Sequence, residues 1–338
     1  MKVKRIILTV LISLGMGSTA YALSPQVLTF DQTGFLYYNV VGKGIRNPSG
    51  ADFTSGTKSM TLPSAPTFAE LYWNGFQYDF ANNAEPGDPN VFLNGMAVVG
   101  TALAEQPGGE QGIGYRANVT NKILAGTNNY TASGIGFTNQ ANSRNNGFSI
   151  GAVYQDATKQ KYGRMMIFDG LDNAWCLGTG NNGPNSEVLG INIGAANYDR
   201  IVDLTFIIGG GEDATNYPDG RGSWIWYDTF NAGATPTNLV GQAFASRWAD
   251  PFPIKAADGH DWDTYDFSIV VPKGDGKLAF QIESDLQRHG ESFNWLSSYV
   301  FVNNANPVPE PATMSLFGMG GAAAMFFRRK RGQKIAQS

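Results

Sequence analysis

The sequence is short of the residues on which many catalytic and metal centres depend. It contains one cysteine, Cys176, and two histidines, His260 and His289, among 338 residues. A single thiol excludes an intramolecular disulfide and a cysteine-ligated metal site. Two histidines give few candidates for the base of a Ser-His-Asp centre, in which an imidazole must accept the proton of the nucleophile. Stability must therefore come mainly from a packed core.

Charged residues are also scarce, and they are unevenly distributed. They make up 15 % of the chain, and the formal net charge is −4. Three cations lie in residues 2–5 and five more in residues 328–334, which leaves 16 cations against 28 acids, so the body has a charge near −12. An acidic body repels phosphates, and we therefore expect no nucleic-acid partner.

Long helical periods are missing between Gln26 and Pro307. The chain instead contains 42 glycines and many short, alternating apolar segments. Turn-forming pairs recur between these segments: Asn74-Gly75, Asn94-Gly95, Asn146-Gly147, Asp219-Gly220 and Asp258-Gly259. This pattern predicts an all-β body.

The first 22 residues have the order of parts typical of a signal peptide. Cations in residues 2–5 precede an apolar run over residues 6–17. Ala20 and Ala22 then place small side chains at the positions that signal peptidase reads, so cleavage before Leu23 is expected. A permanent N-terminal anchor is the alternative, but the apolar run is short for a membrane span.

The C-terminus has three parts in a fixed order. The strip Val308, Pro309, Glu310 and Pro311 is followed by an apolar stretch, residues 312–327, and then by a basic cluster. The cluster consists of Arg328, Arg329, Lys330 and Arg331. This arrangement resembles the PEP-CTERM sorting signal of Gram-negative bacteria. A plain tail anchor is the alternative.

The resemblance implies export and processing. Residues 312–327 are predicted to form a transmembrane helix, and residues 332–338 a cytoplasmic tail, because basic residues stay on the cytoplasmic side. An exosortase is expected to recognise Pro309-Glu310-Pro311 within the sorting signal, residues 305–331. The body is then expected to face the periplasm while anchored in the inner membrane, and to pass to the cell surface or extracellular matrix.

The body is predicted to consist of two jelly-roll-like β-sandwiches. An N-terminal segment, residues 23–66, precedes a first unit at residues 67–175. A linker at residues 176–198 leads to a second unit at residues 199–304. Residues 115–134 align with residues 265–284, which suggests a diverged duplication; a rhythm common to all β-sandwiches is the alternative.

The body also resembles an uncharacterised family of secreted β-rich domains in microbial surface proteins. Four segments carry this resemblance: residues 69–75, 115–120, 146–156 and 166–175. The resemblance implies a sandwich fold and a surface role, and it implies no known chemistry.

Calcium is a candidate cofactor. Asp258, Asp261 and Asp263 lie in one short acidic stretch, and oxygen-rich loops of this kind can hold Ca²⁺ when further oxygens complete the ligand set. Their spacing differs from that of an EF-hand loop. The alternative is turn chemistry, in which aspartates accept backbone N–H groups.

Tryptophans are the candidate carbohydrate contacts, because sugar rings stack on exposed aromatic faces. The candidates are Trp73, Trp248 and Trp262. Trp224 and Trp226 share one face of a predicted strand and are assigned more readily to the core.

Three functions follow from these observations. The first is a non-enzymatic surface or biofilm-matrix protein that associates with exopolysaccharide. The second is a discrete carbohydrate-binding module. The third is a secreted polysaccharide hydrolase, because Glu283 and Asp285 lie two residues apart on one predicted strand face. Jelly-roll glycosidases carry a further acid along that strand, where this chain has Gln287 and Arg288.

Overall fold

The computed structural model confirms an all-β body. It describes residues 24–47, 52–78, 89–105, 110–137, 144–174, 184–210, 223–231, 233–247, 258–259, 262–284 and 293–304. One 3₁₀ turn, Thr120–Lys122, interrupts the strands. The strands are β1 (Ser24–Gly34), β2 (Leu36–Gly44), β3 (Ser55–Leu62), β4 (Pro66–Tyr78), β5 (Asn90–Leu93), β6 (Met96–Val99), β7 (Thr101–Glu105), β8 (Glu110–Asn118), β9 (Gly126–Ser133), β10 (Arg144–Gln155), β11 (Gly163–Ala174), β12 (Leu189–Asn192), β13 (Arg200–Gly209), β14 (Ser223–Phe230), β15 (Ser246–Arg247), β16 (Trp262–Val271), β17 (Lys277–Ser284) and β18 (Phe293–Asn303).

These strands form four antiparallel sheets. Two of them form a first sandwich, in which the inner sheet, facing the second sandwich, has the order β2-β10-β4-β8-β7 and the outer sheet has the order β3-β9-β5-β6. The second inner sheet has the order β1-β11-β18-β13-β16, and the second outer sheet has the order β12-β17-β14-β15. Each outer sheet packs on its inner sheet, and the two inner sheets pack on each other. Both faces of an inner sheet are therefore covered over most of their area, while Ile201 on β13 and Val270 on β16 stay exposed.

Three apolar cores separate the four layers. Trp73 and Phe148 lie in the core of the first sandwich, and Phe206 and Trp295 lie in the core of the second. The third core, which includes Tyr299, lies between the inner sheets. Burying each such side chain stabilises the fold by roughly 1.5–3 kcal/mol. The third core therefore joins the two sandwiches by the same force that forms each of them.

The two sandwiches repeat one topology. In chain order, β2 to β6 and β8 to β10 take the same places in the first sandwich that β11 to β18 take in the second. The aligned segments at residues 115–134 and 265–284 each step from an inner sheet to an outer sheet, as β8–β9 and β16–β17. This repetition is what the predicted duplication requires. Strands β1 and β7 have no counterpart among the described strands.

The sheets do not follow the predicted domain boundaries. Strands β2 and β3 lie within the predicted N-terminal segment, 23–66, yet they belong to the sheets of the first sandwich. Strand β11 lies in the predicted first unit, 67–175, but pairs with β1 and β18 of the second sandwich. Strand β12 falls in the predicted linker, 176–198. Pairing partners lie far apart in sequence, and the local pattern does not encode them.

The predicted turns divide into two kinds where they are described, and Asp219-Gly220 lies outside the described residues. Asn94 and Gly95 both have positive φ and join β5 to β6, as predicted. Asn74-Gly75 and Asn146-Gly147 instead lie inside β4 and β10, so the turn prediction is wrong there. A Cβ at Gly75 would lie 2.3 Å from Phe137, which shows that this glycine serves close packing.

Candidate functional site at the interface between the sandwiches

A buried acidic pair lies between the inner sheets. Glu70 on β4 and Asp169 on β11 come from different sandwiches and are 5 % and 2 % exposed. The Tyr72 hydroxyl lies 2.6 Å from Glu70 Oε2 and 2.8 Å from Asp169 Oδ1. A phenol has one proton and can donate to one carboxylate at a time. The second bond is made when one carboxyl group is protonated and donates to the phenol oxygen.

Further donors complete what we call the acidic network. Arg116 Nη1 lies 3.2 Å from Glu70 Oε1 and 2.7 Å from Asp169 Oδ2. The Arg116 side chain is 30 % exposed, so the network reaches the surface there. Ser297 Oγ donates to Asp169 Oδ1 at 2.7 Å, and Thr29 Oγ1 donates to Asp169 Oδ2. Asp169 thus accepts more hydrogen bonds from neutral side chains than Glu70 does.

The burial of this network determines its protonation. Burial, followed by the nearby charge of Asp169, raises the pKa of Glu70 to about 7, although Tyr72 and Arg116 oppose the shift. Burial also raises the pKa of Tyr72 and of Tyr299 well above the usual value. Glu70 is therefore the group in this network that exchanges its proton near neutral pH.

A second polar feature is open to solvent. A groove of about 340 Å³ lies between the edge strand β2 and the second inner sheet. We call it the β2 groove, and its polar lining includes Tyr37, Asn39, Asp203, Thr205, Asp266 and Ser268. Ser268 Oγ donates to Asp203 Oδ1 at 2.7 Å, and Tyr37 Oη donates to Asp203 Oδ2 at 3.3 Å.

The charge of the β2 groove is negative on balance. Lys161 Nζ lies 3.8 Å from Asp203 Oδ2 and 4.7 Å above the centre of the Tyr37 ring. Asp266 accepts a hydrogen bond from Thr205. Burial and the neighbouring Asp203 raise the pKa of Tyr37 to about 12, so this phenol stays a hydrogen-bond donor at physiological pH.

The tryptophans predicted to contact carbohydrate are core residues where the structure describes them. Trp73 and Trp262 are 0 % exposed. Trp73 stacks on Tyr115 at 5.4 Å, and Trp262 Nε1 donates to Ser149 Oγ at 2.7 Å. Neither ring offers a face to a sugar, so the prediction is wrong for both: sheet packing covers them on each side. Trp248 lies outside the described residues.

The predicted calcium ligands are only partly described. Asp258 is buried, and its carboxylate accepts hydrogen bonds from Lys58 Nζ at 2.7 Å and from Thr264. Asp263 lies in β16, and Asp261 lies outside the described residues. Within the described ranges no group of three or more acidic, histidine or cysteine side chains is placed to hold an ion. Lys58 and Thr264 give Asp258 a structural role, and calcium stays a prediction.

The candidate hydrolase acids are also incompletely described. Glu283 lies on β17 of the second outer sheet, where its Oε2 accepts a hydrogen bond from Trp226 Nε1 at 2.7 Å. Trp224 is buried beneath the Arg247 guanidinium, which lies 3.8 Å from the ring centre. Asp285 lies outside the described residues.

One further pattern in the sequence has a structural explanation. Residues 147–151 read Gly-Phe-Ser-Ile-Gly, which matches the spacing of a hydrolase nucleophile elbow. That elbow requires a sharp turn between a strand and a helix. Ser149 is instead fully buried in the middle of β10, so the pattern is a strand segment.

The sequence patterns predict neither the acidic network nor the β2 groove. Glu70 lies in an alternating strand segment, where a polar residue is expected to face water. Two features of the sequence point to the acidic network: residues 70 and 72 lie on one face of a strand, and both side chains can form hydrogen bonds. Only the contact between sandwiches brings Asp169 to them.

Comparison with known proteins identifies the C-terminus. Residues 307–331 match the PEP-CTERM protein-sorting motif, which confirms the resemblance found in the sequence. This motif implies a secreted protein that an exosortase recognises. The residues of the sorting strip, the basic cluster, the predicted span 312–327 and the signal-cleavage site at Ala20, Ala22 and Leu23 all lie outside the described residues. In the part of the chain that is described, no helix is long and apolar enough to span a membrane.

No curated protein matches the chain. Among solved structures, one chain in the crystal structure of plant peptide RALF23 in complex with FER and LLG2 shares 11 % identity over 86 % of this chain and 100 % of the other, with a TM-score of 0.23. The ANXUR2 extracellular domain from Arabidopsis thaliana shares 10 % identity over 81 % and 92 %, with a TM-score of 0.22. The ANX1 ectodomain from Arabidopsis thaliana shares 10 % over 83 % and 93 %, with a TM-score of 0.23. At these TM-scores the likeness carries no argument.

Proposed function

We propose that this protein is a non-enzymatic component of the cell surface or biofilm matrix that associates with exopolysaccharide. The single observation that carries the proposal is the sorting motif at residues 307–331. In the proposed route, signal peptidase removes residues 1–22 and residues 312–327 hold the protein in the inner membrane. An exosortase then acts at the Pro309-Glu310-Pro311 strip and releases the body.

The body supports this proposal through its construction. Two sandwiches with a shared third core form a unit without an intramolecular disulfide, which needs no reducing or oxidising compartment to fold. Its acidic charge opposes adhesion to nucleic acid and favours solubility outside the cell. A protein of this kind contributes bulk, spacing and glycan contacts to a matrix.

Replacing Pro309-Glu310-Pro311 by three alanines tests the sorting step. Prolines keep the strip from continuing the membrane helix, whereas alanines extend that helix outward and hide the strip. We expect the variant to lose its signal peptide and to stay in the inner membrane as the longer species. Immunoblots of membrane and medium fractions measure this outcome in cells with a matching exosortase.

A deletion of residues 328–331 is the matched control. It keeps the strip and removes the cytoplasmic charges, so it should change orientation or retention in the membrane. Equal release of the triple-alanine variant and the parent would contradict the sorting proposal.

The matrix association is tested separately by deleting the host's exopolysaccharide synthesis. We expect the released protein to move from the matrix fraction to the free medium. An unchanged matrix fraction would argue against association with exopolysaccharide. Incubating the purified protein with that polysaccharide should give no new reducing ends, whereas turnover abolished by Glu283→Gln would favour the hydrolase alternative.

A further inference from the structure

The two sandwiches repeat one topology, but their inner edges differ. In the second inner sheet, β1 covers the edge of β11. Its Thr29 contributes to the acidic network, and its Phe30 packs on Phe68 of the first sandwich with ring centres 4.9 Å apart. The matching edge of the first inner sheet is β2, and none of the described strands pairs with its outer side. The β2 groove lies beside that uncovered edge.

The lining of the β2 groove suits hydroxyl-rich ligands. Asp203 and Asp266 supply acceptors, while Tyr37 and Ser268 supply hydroxyl groups that already point to Asp203. A ligand hydroxyl can replace either of these local bonds and donate to the carboxylate at little cost in side-chain ordering. The volume of about 340 Å³ lies in the range of small-molecule sites.

An apolar strip continues the groove. Ile201 and Val270 are directly opposed across β13 and β16, and they are 51 % and 61 % exposed. They lie two residues from Asp203 and Ser268 and share their sheet face, because side chains alternate along a strand. A surface with adjacent acceptors and aliphatic groups matches a sugar ring, which has hydroxyls at its rim and C–H groups on its face.

The charge of the groove selects among polysaccharides. Two carboxylates face one lysine, Lys161, and the whole body is acidic. A polyuronate or sulfated chain would bring further negative charge to Asp203 and Asp266, which is unfavourable. A neutral polysaccharide avoids this electrostatic repulsion.

We propose that the β2 groove binds a segment of neutral polysaccharide, with Asp203 and Asp266 accepting sugar hydroxyls and Ile201 and Val270 contacting the ring face. This inference rests on the proposed association with exopolysaccharide and assigns it to a site and a glycan class.

The test is affinity electrophoresis of the processed protein, as released from cells, in gels that contain a neutral glucan, a galactomannan or a polyuronate. We expect at least one neutral polymer to retard the parent and the polyuronate to leave it unretarded. Ser268→Phe fills the groove without changing charge, and Asp203→Ala removes its central acceptor. Each should weaken binding at least tenfold.

Asp228→Ala, on the second outer sheet, is the matched control and should bind as the parent does. Equal unfolding midpoints of parent and variants exclude loss of fold as the cause. No retardation by any neutral polymer, preferential retardation by the polyuronate, or unchanged binding of both groove variants would each overturn the assignment. Matrix retention that persists in cells making the Ser268→Phe variant would leave the proposed function standing while rejecting the groove.

Discussion

Replacing Glu70 by glutamine should stabilise the protein at alkaline pH. The glutamine amide keeps an oxygen for Arg116, and its N–H donates to the Tyr72 hydroxyl oxygen in place of the carboxyl proton. Unlike Glu70, it cannot acquire a negative charge beside Asp169. The substitution therefore retains the neutral form of the network at every pH.

The size of the effect follows from the pKa of Glu70, which is about 7 in the native protein against a usual value of 4.5. Well below pH 4.5 both the native and the unfolded chain hold this proton, so the free energy of unfolding of the parent is not reduced. Between pH 4.5 and 7 the native state holds more protons than the unfolded state, so the free energy of unfolding falls as pH rises. Above pH 7 the accumulated loss is about 3 kcal/mol, at about 1.4 kcal/mol per pKa unit.

The assay is urea denaturation followed by tryptophan fluorescence at several pH values. The difference in unfolding free energy between Glu70→Gln and the parent should shift by about 2.5 kcal/mol in favour of the variant between pH 5 and pH 8.5. Lys273→Gln, which removes one charge at an exposed position, is the control and should follow the parent. A difference that does not change with pH would refute the reasoning.

Three further substitutions test other contacts, each by denaturation. Asp31→Asn removes an ion pair with Arg164 of 2.6 Å that is partly exposed, so it should cost less than about 1 kcal/mol at pH 7. The hydrogen bond from Arg164 lowers the pKa of Asp31, so this contribution is lost as pH falls through that lowered value; parent and variant that fail to converge in acid would contradict it. Trp73→Ala should cost about 3–5 kcal/mol, because the ring is fully buried; a loss below about 1 kcal/mol would show that it is not a core residue. Lys58→Met leaves the buried carboxylate of Asp258 without its cation and should cost about 1–3 kcal/mol, with Lys58→Arg as the conservative control and an unchanged midpoint as the contrary result.

The third core explains why sequence reasoning identified strands correctly and misjudged their faces. Residues 69, 71 and 73 of β4 face the core of the first sandwich, although the sequence pattern predicts Trp73 as a carbohydrate contact. Glu70 and Asn74 alternate with them, and both are buried because a second sandwich covers that face. An alternating strand in a single sandwich and one between two sandwiches look alike in sequence.

The glycine pattern has the same limitation. Gly95 lies in the turn of a hairpin, where its φ is +77°. This conformation is a local requirement, and the Asn94-Gly95 pair predicts it. Gly151 lies inside β10 because a Cβ there would be 2.1 Å from the Tyr299 hydroxyl of the other sandwich. The sequences around the two glycines are similar, and only the contact of Gly151 with Tyr299, which is distant in the chain, distinguishes their roles.

Features that depend on neighbours in the chain could be predicted from the amino-acid sequence: the β class, the turn at Asn94-Gly95 and the sorting motif at residues 307–331. Strand alternation, turn chemistry and the three-part sorting signal are all properties of short segments of the amino-acid sequence. The tertiary structure alone decided which strands share a sheet, that β1 covers one inner edge and leaves β2 uncovered, and that Glu70 meets Asp169. These outcomes depend on the burial of surfaces contributed by residues about a hundred positions apart, and no local pattern records that distance.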